Sequence, residues 1–202
     1  LWREALRAFE QEKFFVRPPH GPIYSRVIPL FVCPSDFDTQ EPQDVGHYYK
    51  MAFTNYLGVW GTDYTRRDGI LFLDSRTRIV DIRDGTTNTI MIGERPPSTD
   101  YLLGWWYAGW GQARDGSCEY LMGARELNNY AQYVGICPPG PYHYAPGHVE
   151  NPCDTFHFWS YHAGGCNFAL ADGSVRFLSY SVDPILPALA TRAGREVASV
   201  PD

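Results

Sequence analysis

Apolar side chains in the first twelve residues recur at helical spacing. Leu1, Trp2, Ala5, Leu6 and Phe9 fall to one side, with Arg3, Glu4, Arg7 and Glu10 on the other. The pattern predicts a helix over 1–12, and Pro18-Pro19-His20-Gly21-Pro22 predicts a loop after it. The helix starts as if in mid-structure, so we expect it to continue upstream and to lay Trp2, Leu6 and Phe9 on a sheet. From there on the apolar positions read as short strands. Val27–Cys33 is an apolar run in which Pro29 suggests an edge strand, and residues 51–59 read as extended. Ile70–Leu73 and Ile79-Val80 are brief apolar runs, and Thr89–Glu94 is a strong strand candidate after the turn at 84–88. Leu102–Gly111 predicts an unusually aromatic strand, with Trp106 and Ala108 on one face and Trp105 and Tyr107 on the other.

The clearest alternation lies near the C-terminus. Phe168 and Leu170 alternate with small or polar neighbours, as do Val175 and Phe177, and Asp172-Gly173 sits between the two runs. An Asp-Gly pair supplies the positive φ of a tight turn, so a hairpin with strands at about 166–171 and 174–179 is predicted. Asp183, Pro184 and Gly194 then mark a short helix over about 184–192. Between these parts, residues 112–155 are rich in Gly, Pro, Asn and Tyr and show little periodicity. A structureless stretch of that length needs something to hold it.

Cysteines supply that something. Of Cys33, Cys118, Cys137, Cys153 and Cys166, none forms a C-x-x-C pair. Cys137 and Cys153 flank Pro-rich loop, where a disulfide is the usual reason for a cysteine, so a bridge between them is expected. A second pairing, Cys118 with Cys166, would leave Cys33 for a partner elsewhere. The 202 residues carry a net charge of −6 and 15% aromatic residues, and Lys13 and Lys50 are the only lysines. With no basic stripe, nucleic acid is not an expected partner. No apolar run approaches the roughly 20 residues of a membrane span.

Several segments, in order, resemble a large bacterial family of prepilin-like proteins. They are Leu30-Phe31-Val32-Cys33-Pro34-Ser35-Asp36, Thr54-Asn55-Tyr56-Leu57-Gly58, Asp84-Gly85-Thr86-Thr87-Asn88-Thr89 and Gly93-Glu94-Arg95. His162 follows, separated by nine residues from Asp172-Gly173, like that family's H-x9-DG signature. The resemblance implies an α+β, pilin-like head in which an antiparallel sheet packs on an N-terminal helix. By length the chain reads as one domain over 1–202, with the helix end at 1–12, a disulfide-tied loop excursion at 112–155 that matches no element of that family, and the signature hairpin and C-terminal helix in 156–202. The resemblance also implies a structural, non-enzymatic subunit of a pilus, pseudopilus or secretion apparatus at the cell surface, outside the cell or in the periplasm. The partners would be copies of itself or related subunits, and membrane contact would come only through an N-terminal apolar helix.

Other chemistry is weighed on the residues alone. Glu94, His162, Asp172 and Gly173 carry the resemblance. His162 and Asp172 read either as an acid–base pair or as a structural histidine and a turn aspartate. Zinc is the alternative use of His143, His148, His157 and His162 beside the later cysteines, although paired ligands at short spacing are missing. No cofactor is required; calcium is possible, with Asp63, Asp68 and Asp84 as candidate oxygen donors in turn-rich sequence, beside Asp74 and Asp81. Trp105, Trp106, Tyr107 and Trp110 could stack on sugar, which makes a secreted carbohydrate-binding module the alternative function, or they could form a core or subunit contact. A secreted hydrolase ranks third: neither G-x-S-x-G nor H-E-x-x-H occurs, and nothing in the spacing of Glu94 and Asp172 supports a carboxylate pair.

Overall fold

The computed structural model describes residues 1–46, 49–196 and 198–201. Helix α1 (Trp2–Gln11) forms where the periodicity places it, and a short helix α2 (Gly21–Tyr24) follows. Strands β1 (Gln43–Asp44) and β2 (Lys50–Met51) make a small ribbon. The main sheet contains β3 (Tyr56–Gly61), β4 (Ile90–Glu94), β5 (Leu121–Gly123), β6 (Gly165–Leu170) and β7 (Val175–Ser179), in the order β5-β3-β4-β6-β7. A 3₁₀ turn over Tyr180–Ile185 leads into helix α3 (Leu186–Ala190), so the C-terminal helix is shorter and begins later than its cap signals predict. The fold is α+β, with the disulfide Cys137–Cys153 closing the irregular region.

The sheet differs from the expected antiparallel one at one edge. β5 pairs parallel with β3, while the other three pairings are antiparallel. β5 lies in the stretch that showed no periodicity, because three residues are too short to display one.

Side-chain alternation divides the sheet into two faces. Leu57, Val59, Ile90, Met122, Phe168 and Leu178 point into the core, where Leu186 and Leu189 of α3 and Phe156 and Phe158 meet them. Gly93 belongs to this face, and a Cβ there would stand 2.5 Å from Phe168 and 2.8 Å from Phe158. The glycine of the Gly93-Glu94-Arg95 segment is therefore what lets two aromatic rings cross the sheet. The other face carries Tyr56, Ile92, Glu94, Asn167 and Ala169.

The packing of α1 corrects the sequence reading. Trp2 and Leu6 are 73% and 43% exposed. Only Phe9 docks, stacking on Tyr107 with ring centroids 5.6 Å apart. Its neighbours are the aromatic cluster of Phe15, Met51, Phe53 and Trp105, away from the main core. The core face of the sheet is already filled by α3 and the 3₁₀ turn Pro152–Phe156.

Two predicted strands are not strands. Val27–Cys33 instead contains a 3₁₀ turn over Pro29–Phe31, since Pro29 fixes φ and lacks the N–H a ladder needs. Leu102–Gly111 is irregular and, among the described residues, pairs in strand fashion only at the isolated bridge between Phe53 and Trp105. Its N–H groups at Gly104 and Trp105 donate to the buried Glu119 carboxylate, at 3.2 and 2.7 Å, in place of a neighbouring strand. The short apolar runs Ile70–Leu73 and Ile79-Val80 likewise form turns.

The hairpin forms as predicted, with Gly173 at φ +86° and Asp172 Oδ1 accepting from the Ser174 N–H and hydroxyl. A Cβ on Gly173 would meet nothing within 4 Å, so only the backbone conformation excludes a side chain. Gly173→Val is expected to destabilise the domain by more than about 1 kcal/mol. An unchanged midpoint in chemical denaturation would show that the turn can relax to negative φ.

Candidate functional site

Segments far apart in the chain close on one another at the end of β4. The Asn55 side chain, buried just before β3, accepts from the Cys33 N–H at 2.8 Å and from the Thr39 hydroxyl at 3.2 Å. Its amide donates to Asp36 Oδ2 at 2.6 Å. The Asn55 carbonyl accepts from the Arg95 N–H at 2.8 Å. Cys33, Asp36, Asn55 and Arg95 are thus tied together, and the adjacent Glu94 carries the network to the hairpin. Glu94 Oε2 accepts from the Asn167 N–H at 2.6 Å, while Oε1 lies 3.3 Å from His162 Nε2. The same Nε2 lies 3.7 Å from Cys33 Sγ. His162 is held in turn by its own N–H, which donates to Ser160 Oγ.

Among the described residues, Cys33, Glu94 and His162 form the one group of three metal-ligating side chains whose donor atoms all lie within 4.8 Å of each other. Cys33 and Glu94 are buried, and the His162 side chain is 32% exposed. Tyr56 stands beside them: burial, with Cys33 and Glu94 nearby, pushes its hydroxyl up to about 12.

Glu94 also lines a groove of about 830 Å³ on the open face of the sheet. Tyr56, Ile92 and Ala169 form its floor, and Phe31, Leu71 and Trp106 stand around it. Val175 is 61% exposed beside it. The alternation that marked Val175 and Phe177 in the sequence therefore points to this side, and Leu178 fills the core position of β7.

The remaining candidates are dispersed. Asp172 is engaged in its turn and forms no pair with His162. Asp63 receives the Thr65 N–H and Asp68 the Thr62 N–H within the loop after β3, and Asp84 receives the N–H groups of Gly194 and Arg195 from the C-terminal segment, so each calcium candidate is engaged with backbone N–H groups. Of the histidines weighed for zinc, His143 pairs with Asp183 and His157 with Asp154, while His148 Nδ1 accepts from the Glu150 N–H. Cys118 and Cys166 are buried free thiols rather than a bridge, and burial pushes both upward, Cys166 to about 12. Cys33, assigned by elimination to an outside partner, faces His162 instead. In the aromatic segment Trp105 is buried, Trp106 reaches the groove, Tyr107 stacks on Phe9, and Trp110 is exposed beside Phe15.

The grouping of Cys33, Glu94 and His162 was not anticipated. Each sits in a segment of the prepilin-like resemblance, yet 61 and 68 residues separate them along the chain and no local spacing joins them.

The profile of a family described as "Protein of unknown function (DUF1559)" matches residues 3–185. The chain belongs to that family. The match takes in α1, all five strands of the main sheet, the disulfide and every residue of the Cys33–Glu94–His162 group. No curated protein and no solved structure matches the chain. Among the described residues, no helix is long and apolar enough to cross a membrane.

Proposed function

We propose that this chain is the head of a pilin-like subunit, a structural part of a pilus- or pseudopilus-like filament at the cell surface. The observation that carries the reading is the convergence at the end of β4. The segments bearing Cys33, Asn55, Glu94-Arg95 and His162, which carry the prepilin-like resemblance in order, are hydrogen-bonded or in contact with one another. Residues that act together in this way favour a shared fold over a set of chance matches. A structural role also suits the chemistry, since Asn55 ties the segments of Cys33, Asp36 and Arg95 together.

The exposed Trp2 and Leu6 give α1 an apolar side that fits contact with a neighbouring subunit. The partners on this reading are copies of the chain or related subunits. Electron microscopy of the full-length mature protein from its native source is expected to show filaments with the heads outward. Discrete particles alone would count against it.

A second reading, a secreted carbohydrate-binding module, draws on Trp106 and Phe31, whose rings lie 6.0 Å apart at the groove. It expects binding on a glycan array that Trp106→Ala abolishes.

A further inference from the structure

We propose that Cys33, Glu94 and His162 bind one divalent transition-metal ion of the zinc class. The argument starts from which atoms face one another. In a cysteine nucleophile assisted by a histidine and an acid, the thiol and the acid occupy opposite nitrogens of the imidazole. Here both contacts fall on the same nitrogen: Nε2 lies 3.7 Å from Cys33 Sγ and 3.3 Å from Glu94 Oε1. A single N–H cannot serve both at full strength, and Cys33 is 3% exposed, out of reach of a bulky substrate. Three donors of different elements converging on one point is instead the arrangement of a ligand set.

The spacing fits the ion. Zinc takes nitrogen and oxygen at about 2.0–2.2 Å and thiolate sulfur at about 2.3 Å, so tetrahedral angles put N···O at about 3.3 Å and N···S at about 3.6 Å. Two observed separations, 3.3 and 3.7 Å, match these, and the Cys33 and Glu94 donor atoms lie within 4.8 Å of each other. The mixture of thiolate, imidazole and carboxylate also suits zinc or cobalt better than calcium, which takes oxygen alone.

The surroundings orient the donors as a second layer should. The Asn167 N–H donates to Glu94 Oε2 at 2.6 Å and its side-chain amide lies 3.3 Å from both carboxylate oxygens, which orients the carboxylate with Oε1 on the His162 side, while Asn55 fixes the Cys33 backbone. A metal takes cysteine as its thiolate, so binding would release the Cys33 thiol proton to solvent. Three protein ligands leave one tetrahedral position for water or for a donor atom of a bound molecule. Glu94 lines the groove on the open sheet face, so such a molecule has a place to lie.

Cobalt(II) titration of the intact, disulfide-bonded protein tests the proposal. The expected result is one cobalt per chain, with visible bands of tetrahedral intensity and a thiolate-to-cobalt charge-transfer band, all bleached by added zinc. Cys33→Ser should remove the charge-transfer band, and His162→Gln should weaken binding at least about tenfold. His143→Gln, at an exposed histidine outside the ligand set, should leave the titration unchanged. Folded wild-type protein, verified by circular dichroism, that shows no cobalt band overturns the proposal without any variant. A band that survives in Cys33→Ser overturns it as well, because another thiol would then be the ligand.

Discussion

Replacing both Cys137 and Cys153 by serine is expected to lower the unfolding free energy by about 3 kcal/mol. The bridge closes a loop with a sequence separation of 16, and closing a loop near 15 residues is worth about 3 kcal/mol in the chain-entropy account. In a chain of this size about 2–4 °C of melting temperature accompanies each kcal/mol, so a fall of roughly 6–12 °C is expected. No helix and no strand of the sheet intervenes between Tyr133 and the 3₁₀ turn Pro152–Phe156, and the loop's other ties are hydrogen bonds, the Tyr142 N–H donating to the Glu126 carbonyl and the buried Tyr144 hydroxyl donating to the Leu178 carbonyl. Tyr133 and Tyr142 also pack on Phe156, with ring centroids 5.7 and 5.1 Å apart. Differential scanning calorimetry of the double variant checks the value. A fall below about 1 kcal/mol would mean that the hydrogen bonds and aromatic packing hold the loop without the bridge.

Stability is also expected to decline between pH 5 and pH 8, by several kcal/mol. Two carboxyl groups are buried beside the sheet. Burial raises Glu119 from 4.5 to about 8, against the N–H groups of Trp105 and Gly104 and the nearby Arg95, which favour its charged form. Burial likewise raises Glu126 from 4.5 to about 7, against the N–H groups of Gly123, Leu127 and Tyr64. A carboxyl whose folded pKa lies above its unfolded value binds more protons folded than unfolded. Its contribution is complete below about 4.5 and is lost as pH rises through the folded value, near 7 for Glu126 and near 8 for Glu119. Each unit of displacement corresponds to about 1.4 kcal/mol, so even part of these displacements gives a measurable slope. Melting temperatures recorded from pH 5 to pH 8 should fall, and Glu119→Gln should flatten the upper part of the curve. A wild-type curve that rises over this range would show both groups to be ionised in the folded protein.

Local sequence determined the elements whose signals are complete within a few residues. Asp172-Gly173 set the turn and the strands on either side of it, because positive φ is a property of the backbone at one residue. The amphipathic spacing of 1–12 set α1, the apolar run at 90–94 set β4, and the Pro-rich context of Cys137 and Cys153 marked the bridge. The segments of the prepilin-like resemblance also contained Cys33, Glu94 and His162, though as separate pieces.

Only the tertiary structure decided which face of an element is buried and which distant groups meet. Alternation marked Val175 and Phe177 as sharing one side of their strand, but a period of two does not say which of two equivalent faces is buried, and pairing with β6 gave the core to Leu178. The aromatic run at 102–111 had the composition of a strand, yet Glu119, distant in sequence, took its N–H groups. α1 had an apolar side that the sheet left largely uncovered, because α3 had already filled the core face. The Cys33–Glu94–His162 group belongs to this second class. Its three donors come from a loop, the end of β4 and the approach to β6, and only the folding of the sheet brings them within 4.8 Å of one another.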